Sequence, residues 1–217
     1  VFPGSEKGTV AENVAAKLLA DIKGADICVD IHASNIFIRE IPQVRIPSDD
    51  SGQLLKYAKM LNTDFVWVHD SNAVGEGSIA YSLRQEGVPT LVIEMGVGQR
   101  ITKAYCQQLL TGIFNLMSKI GVWEGPVEKI SHPMVSTDGA VHVIHSVEGG
   151  IFIPKVEHNM WVQKGTVIGD IVTPITGTVE EEVTAPEDGL IFSLREYPIV
   201  YEGSVIARLL SMRNGEM

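Results

Sequence analysis

Hydrophobic and polar positions along this chain follow two rhythms, and the change falls near residue 125. Up to about residue 120, helix-like segments alternate with short apolar runs. In TVAENVAAKLLADIK, Val10, Val14, Leu18 and Ile22 recur every four residues behind Thr9, which is placed to cap a helix. SDDSGQLLKYAKMLN opens with capping residues, GSIAYSLRQEG is closed by Gly87, and TKAYCQQLLTGIFNLMSKIG is closed by Gly121; all three read as helices. Between them DICVDI, QVRI, DFVWVH and PTLVIEMG read as strands. Alternation at this spacing predicts an α/β fold, with a mainly parallel sheet covered by helices on both faces.

Beyond GVWEGPVEK the pattern becomes β-branched runs broken by Gly and Pro, with no helical period. Two stretches in this half are related. GGIFIPKVEHNMWVQKGTVIGDI and DGLIFSLREYPIVYEGSVIARL each start on a Gly-led strand and end on a Gly-Thr/Ser-Val-Ile strand. Paired half-units of this kind predict a small all-β barrel-sandwich with Gly150 and Gly189 related by a pseudo-twofold. The texture resembles the biotinyl/lipoyl-like sandwich, but the intervening VTPITGTVEEEVTAP has no lysine to modify. Its adjacent Glu180, Glu181 and Glu182 are expected in a loop and pointing outward. The expected domains are therefore an α/β domain over residues 1–124, incomplete at its N-terminus, and a β-sandwich over 125–217.

Composition narrows the function. A net charge of −10 is the wrong sign for a nucleic-acid surface, and no apolar run is long enough for a membrane span. Cys28 and Cys106 show no metal or redox spacing and read as buried thiols in a reducing, cytoplasmic compartment.

The candidate chemistry lies at strand ends, where parallel sheets gather functional residues. His32 ends a strand, with Asp30 placed to order it; a structural histidine and a metal ligand are both open readings. Glu94 interrupts the apolar TLVIEMG, where a carboxylate is costly unless paired, metal-linked or used as a base. Arg84 lies on the preceding helix and could clamp a carboxylate through two nitrogens. His69 also ends a strand. His132 and His158 read as structural or solvated. His142 and His145, three apart in a strand, fall on opposite faces and do not share a metal.

Taken together, VFPG…GTVAE, ADICVDIHAS and LRQEGVPTLVIEMG resemble the succinylglutamate desuccinylase/aspartoacylase family, relatives of the zinc carboxypeptidases. Many bacterial members of that family also end in a sandwich like APEDGLIF…PIVYEGSVIARL. The resemblance implies a zinc-dependent amidohydrolase that removes an acyl group from a small N-acylated amino acid or amine. It implies one zinc held by an H-x-x-E pair and a later histidine, here His32. Glu94 is then the general base, and Arg84 the arginine that holds a substrate carboxylate or polarised carbonyl. The family's H-x-x-E lies upstream of an Asn-Arg preceding x-F-P-G, so those ligands are expected before Val1. The HSVE at His145 and Glu148 stands in the β-rich half and is not expected to replace them. A carboxypeptidase-type zinc peptidase and a non-catalytic binding module are the alternatives. The expected partner is a small acylated substrate, with no nucleic acid and no membrane; a homo-oligomer is compatible with the sequence.

Overall fold

The first helix starts where its cap predicts. In the computed structural model, which describes residues 1–70 and 75–211, α1 spans Val10–Ile22 behind a capping box. The Thr9 hydroxyl accepts from Glu12 N, and Glu12 Oε2 accepts from Thr9 N at 2.7 Å. An apolar stripe ordinarily faces a core, yet Val10, Val14 and Leu18 are exposed and Ala15 is the buried residue. The reason is Gly4. It packs directly on the helix, and a Cβ there would lie 2.3 Å from Glu12 O and 2.9 Å from Ala15 Cβ.

Two compact units divide the described chain. The first takes Val1–His32, Pro42–Glu94 and Ala104–Asp138; the second takes Ala33–Ile41, Met95–Lys103 and the chain from Gly139 onward. This differs from a single cut after residue 124. The pieces 33–41 and 95–103 make their contacts in the second unit, which local sequence pattern cannot show.

In the first unit β1 (Cys28–His32), β2 (Ile38–Pro47), β3 (Phe65–His69), β4 (Thr90–Gly96) and β5 (Met134–Thr137) lie in the order β1-β4-β2-β3-β5. The pairs β1/β4, β2/β3 and β3/β5 are parallel. Strand β2 is far longer than QVRI, because it continues through Pro42, a residue that ordinarily punctuates a strand. Burial runs almost unbroken along it, as expected of a strand covered on both faces. Helices α2 (Ser51–Ala58), α3 (Ile79–Gln85) and α4 (Lys103–Lys119) complete the unit. Ser78 caps α3 through its hydroxyl, and Gly87 and Gly121 take the left-handed conformations that end α3 and α4. Val44, Ile46, Leu61, Phe65, Leu91 and Ile93 are fully buried.

One half-buried carboxyl in this unit couples folding to pH. Asp64 precedes β3, and Gln108 Nε2 on α4 donates to its Oδ1 at 3.0 Å. Burial raises its pKa above the usual carboxylate value, and the Gln108 hydrogen bond opposes this only in part. A raised carboxyl pKa means the folded state holds the proton more tightly than the unfolded chain. Its contribution is therefore most favourable below the unfolded value of 3.8 and is lost as pH rises through the folded value. Asp64→Asn keeps the acceptor for Gln108 and removes the charge. It should raise the melting temperature at pH 7 and leave it nearly unchanged at pH 3, by thermal denaturation at both values.

The second unit is a sandwich of two sheets. Its strands are β6 (Val141–His145), β7 (Gly150–Pro154), β8 (Met160–Val162), β9 (Val167–Val172), β10 (Val179–Thr184), β11 (Gly189–Arg195), β12 (Ile199–Val200) and β13 (Val205–Ser211). One sheet runs β10-β9-β7-β12. In the other, β11 pairs β13 and β8, β13 pairs β6, and Ile38–Glu40 of β2 pairs β11. Phe152, Ile168, Ile171 and Val183 from one sheet meet Ile191, Leu194, Ile206 and Leu209 from the other in the core.

The internal repeat is visible as an exchange of short strands. Strand β8 of the first half-unit pairs β11 of the second, while β12 of the second pairs β7 of the first. The registers match: Val162↔Gly189 corresponds to Val200↔Gly150, and Trp161↔Leu190 to Ile199↔Ile151. Gly165 and Gly203 occupy equivalent turns with φ of 81° and 78°. Each half-unit completes the other's sheet, so neither buries its apolar face alone.

Three local expectations are corrected. Residues 179–184 form a strand, not a loop, since β10 pairs β9 in antiparallel register. Glu180 and Glu182 do point outward, but Glu181 is half-buried, and its Oε2 accepts from Val147 N and Glu148 N, each at 2.9 Å. The cysteines are free but not buried: Cys28 is intermediate and Cys106 exposed.

Candidate active site

The site is built at the carboxyl ends of β1 and β4. Apolar residues make both segments strands, and parallel pairing in register sets His32 directly beside Glu94. Residues in one row of a sheet point their side chains to the same face. Asp30 and His32, two apart on β1, also share a face. Asp30 Oδ2 lies 2.9 Å from His32 Nε2. A carboxylate can only accept, so Nε2 carries the proton, and in the neutral ring Nδ1 keeps its lone pair. The His32 side chain is 49% exposed, whereas that of Glu94 is 17% exposed. An ordered, accessible imidazole thus adjoins a largely covered carboxylate.

Arg45 joins them from β2. Its Nη1 is 3.7 Å from Glu94 Oε1, and its guanidinium lies 5.3 Å from the centroid of the Trp67 ring. Trp67 is held in turn, because its Nε1 donates to Asp138 Oδ1 at 2.7 Å. Arg45 thus sets a positive charge beside the largely covered carboxylate. Sequence reading passed over Arg45. Its signal was weaker than that of Glu94: an arginine between Val44 and Ile46, in a strand that also carries Arg39, Glu40 and Gln43.

Arg84 is placed differently. It reaches the turn that follows β2, where Nη2 pairs with Asp49 and Nε lies 2.5 Å from Asp50 Oδ2. Among the described residues its carboxylate partners are therefore these neighbours, and neither is Glu94. A substrate carboxylate would have to compete with them. His69, at the end of β3, places Nδ1 2.9 Å from Asp70 O. His145 is exposed, and His142 lies 3.4 Å from Glu187. His158 is half-buried and its pKa is lowered, first by burial and then by Arg39.

A catalytic zinc takes three protein ligands and keeps a fourth position open. His32 fits one of them, with a ring fixed by Asp30 and a lone pair on Nδ1. Among the described residues no group of three or more His, Cys, Asp and Glu could hold a metal ion. The described residues therefore match a share of a zinc site and not the whole donor set.

Residues 1–120 match the family model described as the succinylglutamate desuccinylase/aspartoacylase catalytic domain. Several solved structures superimpose on nearly the whole chain. The ectoine utilization protein EutE (DoeB) from Ruegeria pomeroyi gives a TM-score of 0.82 at 20% identity, covering 97% of this chain and 68% of its own. A succinylglutamate desuccinylase/aspartoacylase from Rhodobacter sphaeroides gives 0.81 at 21% identity, covering 98% of this chain and 66% of its own. A succinylglutamate desuccinylase from Silicibacter sp. TM1040 gives 0.82 at 20% identity, covering 97% and 66%. At this identity the likeness establishes the fold. The chain spans about two thirds of the length of these structures. A comparison with curated proteins finds no match.

Proposed function

Because this chain belongs to the succinylglutamate desuccinylase/aspartoacylase family, we propose that the protein is a zinc-dependent deacylase hydrolysing the amide of a small N-acylated amino acid or amine. The observation that carries this reading is the His32–Glu94 row, with Asp30 ordering the imidazole.

His32 would contribute one zinc ligand through Nδ1. Bound zinc would polarise the scissile carbonyl and make water a better nucleophile. Glu94 accepts the proton of the attacking water and later returns it to the leaving amine. Arg45, with Nη1 3.7 Å from Glu94 Oε1, places a positive charge beside this carboxylate. Arg84 would receive a substrate carboxylate when Asp49 or Asp50 gives way, so an anionic substrate has to match two existing ion pairs. The two free cysteines fit a reducing cytoplasmic setting.

The test uses the whole gene product. Its zinc content is measured by atomic absorption, and turnover is followed on a panel of N-acetyl, N-succinyl and N-aspartyl-type amides. We expect stoichiometric zinc, loss of turnover on chelation and recovery on adding zinc. His32→Ala should lower zinc affinity by about 10²-fold or more, since one of three ligands is gone. Undiminished zinc binding in that variant would remove His32 from the donor set. Faster cleavage of peptides than of acyl amino acids would favour a carboxypeptidase-type enzyme. Ligand binding without turnover would favour a binding module.

A further inference from the structure

We propose that Glu196 is a positioning residue that ties together the two segments leaving the strands of the candidate active site. His32 is followed by the stretch Ala33–Ile41, and Glu94 by Met95–Lys103; both stretches belong to the second unit. Each brings one arginine to the same carboxylate. Arg39 Nε donates to Glu196 Oε2 at 2.6 Å, and Arg100 Nη1 donates to Glu196 Oε1. Each oxygen serves one segment.

The turn after β11 reinforces the grip. Glu196 N and Tyr197 N both donate to Phe37 O, at 2.8 and 3.2 Å. The Phe37 ring meets Tyr197 edge-on with centroids 5.4 Å apart, and the Arg195 guanidinium lies 5.3 Å from the Phe37 centroid. Arg195 is itself fixed by donating to the carbonyls of Tyr197, Ile199 and Val205. The two segments also touch directly. Gly98 N donates to Asn35 O at 3.0 Å, and a Cβ on Gly98 would stand 2.8 Å from Ser34 O. Only glycine lets them come this close.

The two arms differ in strength. The Glu196 side chain is 24% exposed and that of Arg39 33%, whereas Arg100 is 64% exposed. Water and salt screen the Arg100 arm more, so Arg39 is the stronger tether. Glutamine at position 196 has one acceptor oxygen and turns an NH2 toward the other arginine, so it cannot hold both arms. The catalytic consequence rests on the deacylase reading. Looser segments leave the ends of β1 and β4 free to shift, and small misplacement of reacting groups lowers turnover steeply.

Hydrogen–deuterium exchange of the whole gene product tests the clamp without an assay of activity. Glu196→Gln should speed exchange about tenfold in peptides from both 33–41 and 95–103. Arg39→Gln should act on the first segment alone, and Arg100→Gln more weakly on the second alone; these two variants carry the test if Glu196→Gln fails to fold. Peptides from the β9–β10 hairpin should be unchanged in all. Unaltered exchange, or a uniform rise across the second unit, overturns the proposal. On a substrate that the wild type hydrolyses, Glu196→Gln should lower kcat by about 10- to 100-fold, with KM within about twofold. Loosened segments with an unchanged kcat overturn the positioning role. A wild type without turnover overturns the deacylase reading instead, and the clamp then stands or falls on the exchange result.

Discussion

Glu94→Gln should lower turnover by about 10²- to 10⁴-fold while the protein stays folded and zinc stays bound. Glutamine keeps the shape of the side chain and can accept from Arg45, but it cannot take a proton from water. The substitution therefore isolates the base from the packing around it. It also removes the charge facing Arg45 in a position where the side chain is 17% exposed, so some loss of stability should accompany it. Steady-state kinetics, zinc analysis and a melting curve on the same preparation separate these effects. Near-normal turnover would mean that another group activates the water. Loss of zinc with loss of activity would make Glu94 a ligand.

The second large effect is on stability, at the row Glu40, Ser193 and Arg208. Ser193 on β11 is the register partner of Glu40 on β2 and of Arg208 on β13. Members of one row share a face, and the outer two stand about 9–10 Å apart across the middle strand. Serine is small enough for the long side chains to meet over it, and Arg208 Nη1 donates to Glu40 Oε1. Glu40 is 1% exposed. Arg208→Met keeps the apolar stem and removes a cation that donates to Glu40, while the Glu40 carboxylate stays buried. The expected loss is about 3 kcal/mol, within the range for breaking a buried pair. Urea denaturation of Arg208→Met and of the double variant with Glu40→Met should show the double variant as the more stable of the two. A loss below about 0.5 kcal/mol would mean that the pair behaves like a surface ion pair.

Elements were legible where a local rule decides them. Thr9 and Glu12 make their capping box through groups three residues apart, and Gly87 and Gly121 end helices through their own backbone freedom. Strand β2 was read short because Pro42 is a local stop signal, whereas its pairing is settled by neighbours distant in the chain. The stripe on α1 shows the same division: periodicity defines a face, but Val10, Val14 and Leu18 are exposed, and Gly4 packs on the helix at Ala15. The candidate site followed this division. His32 and Glu94 were noticeable as charged or polar interruptions at the ends of apolar strands, but nothing in either segment says that they occupy one row.

By itself the sequence determined the alternation of strands and helices, the change to an all-β half, the repeat within it and the family, because these rest on residue type and near-neighbour spacing. The tertiary structure alone decided that Arg45 faces Glu94, that Arg84 is engaged by Asp49 and Asp50, and that Glu196 gathers Arg39 and Arg100. Those ion pairs join residues 34 to 157 positions apart. Charge carries no sequence address, so only the folded chain selects which opposite charges come within range.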